Sequence, residues 1–176
     1  MKPPRLMDPR FESRPDSKFH TDRPVCPHAA GQNGPRIGIV GVMNSKPTLT
    51  AADARAVAAA AEAEATRQGW MVTIAVVDDG GHLLWLQRLE GAAPISAEIA
   101  PAKARTAALG RRESKVYEDM INQGRYSFLS APLEGMLEGG VPIMVDGHCL
   151  GAVGVSGVKS NEDVQIARAG IAALGL

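Results

Sequence analysis

The sequence predicts an α+β protein, an α/β/α sandwich in which one antiparallel sheet of about five strands carries helices on its faces. Three observations predict it. Two Asp/Gly turns, at 78–81 and at Asp146-Gly147, each separate a pair of apolar, β-rich runs, which reads as two hairpins and so as antiparallel pairing. Alanine-rich segments with helical spacing stand between and around the hairpins. With 176 residues the chain is long enough for one domain with a real core and too short for two large ones.

Residues 1–46 carry prolines at 3, 4, 9, 15, 24, 27 and 35 among scattered arginines, without sustained periodicity. They read as a disordered or loosely draped extension, with residues 37–42 as a short strand and Met43 as an alternative start. Cys26-Pro27-His28 offers thiolate and imidazole to a metal or haem iron, but a lone triplet reads first as tail. Residues 47–176 form the domain. Thr50 and Asp53 make a capping box, with Leu49 as its staple, and the helix runs to about Gln68, where Gly69 stops it. Residues 70–77 alternate as a strand, with Val72, Ile74 and Val76 on one face and Thr73, Ala75 and Val77 on the other. Residues 82–88 return. After a loop at 89–95, Ser96 is placed to cap a helix over 97–109, from which Lys103, Arg105 and Thr106 project among alanines. A short helix follows at 115–122, then a short strand at 126–129. The runs 141–145 and 149–155 form the second hairpin, and Leu150, Ala152, Gly154 and Ser156 share a face of it. Ser160 caps the last helix with Asp163 as its acidic partner. Profilin-like and PAS-like folds have this arrangement.

The bulk numbers exclude several functions. Net charge is zero, which argues against a general nucleic-acid binder. No long uncharged apolar run spans a membrane, and no apolar segment follows the basic N-terminus as in a secretory signal. Cys26 and Cys149 lie far apart, so a disulfide framework is not expected and a cytoplasmic setting is the default. No HxH, HxxxH or CxxC pattern marks a zinc site, so no metal ligands are assigned.

The piece LEGA followed by SAEIAPAKARTAA, then GGVPIMVDGHCLGAVGVSG and EDVQIARAGIAAL, resembles the GlcG/HbpS family, which includes the C-terminal domain of PduO-type proteins. The resemblance runs from about residue 49 to 176 and leaves residues 1–46 outside. It implies a profilin-like fold, homo-oligomers, and haem or, alternatively, corrinoid as cofactor. A haem-contacting threonine of the HbpS branch is matched best by Thr106.

The candidate site residues follow. Lys103 and Thr106 are three apart on one helix face. Lys103 is placed to pair with a carboxylate or haem propionate and Thr106 to offer a hydroxyl, or else Thr106 back-bonds to its helix and Lys103 reaches solvent. Arg88 ends a strand as an anion contact or an edge charge. Ser156 and Gly157 form the ligand-facing rim of the second hairpin, whose other glycines permit close helix packing. His82 and His148 follow the two turns, as proton-transfer or metal-binding groups or as solvated strand starts. Two functions remain open: a haem- or tetrapyrrole-binding module for storage, sensing or degradation, or an enzyme of small-molecule catabolism. In the second, Lys103 and Arg88 hold a small acid while Lys103 or His82 moves a proton. No nucleophile–base constellation supports the enzyme, and no strong axial ligand supports haem.

Overall fold

The computed structural model describes residues 45–176. The 37–42 strand, Met43 and the Cys26-Pro27-His28 triplet lie outside the described residues. Helix α1 (Ala51–Gln68) begins at the expected capping box. Thr50 Oγ1 accepts from Asp53 N at 3.2 Å, and Asp53 Oδ2 accepts from Thr50 N at 2.8 Å. Strands β1 (Thr73–Asp78) and β2 (Leu83–Arg88) form the first hairpin. Its turn is closed by Asp78 Oδ1, which accepts from Gly80 N at 2.9 Å and His82 N at 2.8 Å. Helices α2 (Ser96–Gly110) and α3 (Lys115–Asn122) follow, then a 3-10 helix at Tyr126–Ser130. Strands β3 (Gly140–Val145) and β4 (His148–Ser156) make the second hairpin, and α4 (Ser160–Ala172) closes the fold. Asp146 and Gly147 have φ of 48° and 78°, the double positive φ that an Asp-Gly turn supplies.

The sheet is antiparallel, with order β2-β1-β4-β3. Helices α1 and α4 cover one face. Ala54, Val57, Ala58, Ala61, Val164, Ile166 and Ala167 pack there on Ile74, Val76, Ile143, Val153 and Val155. Helix α2 covers the other through Ala100, Ala104, Ala107 and Ala108 against Ala75, Val77 and Ala152. The two faces of β1 divide as expected. A Cβ on Gly154 would fall against the Ala100 carbonyl and 2.6 Å from Ala104 N, so this glycine lets α2 lie directly on β4.

Four expectations are corrected. Among the described residues the sheet has four strands rather than about five, because residues 126–129 wind into the 3-10 helix. Edge strand β3 carries Pro142, which lacks the N–H that a fifth strand would need. Leu150 leaves the face of Ala152 and Gly154, because the register between β3 and β4 slips there and turns Leu150 toward α1 and α4. Ser96 does not cap α2; it is the first helical residue, and Ile95 precedes it. Its Oγ shares a 2.6 Å hydrogen bond with Thr73 Oγ1 and donates to Ala93 O at 2.6 Å. Likewise Ser160 lies inside α4, whose N-terminal N–H at Lys159 is accepted by Glu162 at 3.1 Å. Asp163 has turned inward.

Candidate functional site

Asp163 turns inward to meet Lys103. Lys103 sits on the flank of α2 and is 4% exposed, and Asp163 in α4 is 2% exposed. Lys103 Nζ donates to Asp163 Oδ2 at 2.8 Å and to Val155 O at 3.0 Å. Asp163 Oδ1 also accepts from Val158 N at 3.4 Å. The two helices lie on opposite faces of the sheet, so the lysine passes the end of β4 to reach its partner. Gly139 makes the passage possible: a Cβ there would lie 2.7 Å from Lys103 Nζ. Burial pushes the Asp163 carboxyl above its ordinary range, and the Lys103 bond and charge pull it partly back.

Thr106 lies one turn further along α2. It is 1% exposed and its Oγ1 makes no hydrogen bond, so it does not back-bond to its helix. Arg88 and Ser156 flank Thr73 across β1, one on each side, which puts them on the α2 face of the sheet. Ser156 is buried and Arg88 exposed. Gly157 has φ of 149°, and its Cβ position is 2.5 Å from Met71 O, so backbone fills the space where a rim would open. His82 is exposed at the β1–β2 turn, with Nδ1 3.2 Å from Asp78 Oδ2, and His148 is exposed at the start of β4. The structure thus joins Lys103 to Asp163 and aligns Arg88 with Ser156. It keeps His82, in solvent, apart from Lys103, in the interior. Among the described residues no cluster of three or more His, Cys, Asp or Glu could hold a metal ion, and no helix is long and apolar enough to cross a membrane.

An open groove runs along the outer flank of α2. Its larger lobe, about 490 Å³, lies between Ala102 and Arg105 of the helix and a wall that includes Leu129, Pro132, Leu133 and Glu134. A smaller lobe of about 230 Å³ continues past Arg105 toward Leu83 and Glu98. The wall holds its place because Gly135 seats on the backbone of Ala102 and Lys103, where any Cβ would collide. Beyond it, Ser114 Oγ donates to Leu137 O at 2.5 Å and accepts from Gly140 N at 2.8 Å. The sequence names Arg105 without a role and gives residues 126–129, at the start of the wall, as a short strand. No local pattern marks such a wall, since it exists only where residues 129–134 meet α2.

The family model described as "Haem degrading protein HbpS-like" matches residues 49–172. The chain belongs to the HbpS-like family. Among its relatives is Protein GlcG of Escherichia coli (strain K12), 57% identical over 114 residues, which cover 65% of this chain and 85% of that protein. A double mutant of Streptomyces reticuli HbpS superposes on this HbpS-like chain with a TM-score of 0.70 at 30% identity, covering 88% of this chain and all of that one. The structure titled "PduOC:Heme Complex" superposes with a TM-score of 0.65 at 28% identity, covering 72% of this chain and 95% of its own. The family expected from the sequence motifs and the α+β sandwich are both the observed ones.

Proposed function

We propose that this HbpS-like chain binds haem or a related tetrapyrrole in the groove along α2. The observation that carries the reading is the larger lobe itself: about 490 Å³, apolar on its Leu129–Pro132–Leu133 side, and bordered by the helix that holds the unpartnered Thr106 hydroxyl. Ligand pockets have this size. A buried hydroxyl without a partner costs about 1–3 kcal/mol, a cost that a ligand or water reaching it would relieve. The family description and the haem complex of the PduO relative support the same ligand class.

The residues fit the ring better than the iron. Haem supplies a redox-active iron when bound, but no His, Cys or Tyr lines the lobe. Glu134 is the oxygen ligand that lines the larger lobe, and Thr106 lies buried in α2, the helix that borders it. Holding by ring faces and edge groups suits a molecule that is stored, sensed or degraded more than one kept as a permanent prosthetic group. Lys103 is committed to Asp163 and supports the site through α2 rather than by touching a ligand. The exposed leucines of β2 (Leu83, Leu84 and Leu86) support homo-oligomers as the working form.

Titrating the purified chain with hemin tests the reading. Wild type should give a saturable Soret shift, and Thr106→Ala should weaken it by up to about tenfold, the worth of one hydrogen bond to a buried group. Hemin that associates without saturation would defeat the proposal.

A further inference from the structure

We propose that Arg105 holds the carboxylates of the bound molecule and that Glu134 opposes it, so that this pair sets both affinity and orientation in the groove. The inference rests on the tetrapyrrole reading and adds the residues that would select an acidic ligand.

Arg105 stands between the two lobes and is the only cation among the residues lining either. Its Nη1 donates to Gly81 O at 3.5 Å, a long hydrogen bond that leaves most of the guanidinium donors unused. It forms no ion pair among the described residues, although Glu98 and Glu134 line the same groove. Lys103, on the same helix, is by contrast engaged with Asp163. A planar guanidinium with free donors is suited to bidentate capture of a carboxylate. Haem and its relatives carry carboxylates on one edge of an otherwise apolar disc. That polarity matches a lobe with Arg105 at one side and Leu129, Pro132 and Leu133 at the other.

The acidic residues set the direction. In the larger lobe Arg105 is balanced by Glu134 alone, whereas the smaller lobe adds Glu98 and is net negative. The carboxylate edge therefore belongs in the larger lobe, with Glu134 the residue that limits its affinity. Removing the two charges should move binding in opposite directions, which neither a folding defect nor a loss of apolar contact would do.

The test titrates the full chain with hemin and with hemin dimethyl ester, whose carboxylates are masked. Arg105→Ala should weaken hemin about tenfold or more and leave the ester unchanged, Arg105→Lys should fall between, and Glu134→Gln should tighten hemin a few-fold. Arg112→Ala, an exposed arginine outside the groove, should match wild type. Equal hemin affinity in wild type and Arg105→Ala overturns the assignment and leaves the tetrapyrrole reading standing. Equal weakening of hemin and ester by Arg105→Ala also overturns it, because the arginine would then be packing on the ring. Absence of saturable hemin binding by wild type overturns both.

Discussion

Burial and charge decide the behaviour of single residues here. Asp163 is a carboxyl whose proton is held more tightly folded than unfolded, because desolvation outweighs what Lys103 returns. The folded state then binds the extra proton, so the contribution of Asp163 to stability falls as pH rises above the ordinary 3.8 toward its raised value. Glu64 does the reverse. Arg67, Gln165 and Gln68 hold it down to about 2, so its contribution is present above the ordinary 4.5 and is lost as pH falls toward 2. Thermal midpoints across acidic pH should show both signs: the wild-type advantage over Asp163→Asn shrinks with rising pH, and that over Glu64→Gln grows. A parallel pair of curves would contradict the burial of Asp163. The sequence pointed to Lys103 and Thr106 through one helical motif. It gave no hint that Lys103 is consumed by Asp163, because the two are 60 positions apart and Asp163 also satisfies the pattern of a helix cap.

Elements were legible where local chemistry suffices. The α1 capping box, the Asp-Gly turn and the extent of α3 depend on neighbours in sequence, and each stands where the residues place it. Three features depend on distant partners and were not legible. Residues 126–129 have strand-like composition, but β3, the edge strand they lead into, carries Pro142 and they wind into a 3-10 helix instead. Ser96 has a cap residue's chemistry, but Thr73 draws its hydroxyl into the sheet interface. The slip at Leu150 is set by pairing with β3 and not by the alternation of β4. At this scale the seat of α2 on β4 is the point most sensitive to change. Gly154→Ala should lower stability by about 1–3 kcal/mol, as overpacking does in a filled interior, and chemical denaturation measures it. An unchanged midpoint would mean that α2 can ride away from β4 at no cost.

The described residues form two helical layers on one sheet, and Lys103–Asp163 is a polar link that runs from one layer to the other. Removing one partner leaves the other charge buried and unpaired, so Lys103→Ala should cost about 3–5 kcal/mol. Trp70 and Trp85 pack on the α1/α4 core, so tryptophan fluorescence reports that layer while far-UV circular dichroism reports all the helices. In wild type the two transitions should coincide, as for a single cooperative unit. If Lys103→Ala unfolds at the wild-type denaturant concentration, the link contributes nothing. The overall architecture followed from hairpin order and helix periodicity, whereas the link and the groove wall needed the layers to be assembled. The unequal ends of the sheet carry one more consequence, for polymerisation. Among the described residues, strand β3 ends the sheet with Pro142, which cannot donate to an added strand, while β2 ends it with free backbone and three exposed leucines. Copies that paired strand to strand would do so through β2, and each pair would then present a proline-blocked strand at both outer ends. Such growth stops at two, so Pro142 on the β3 edge protects the sheet against fibre formation.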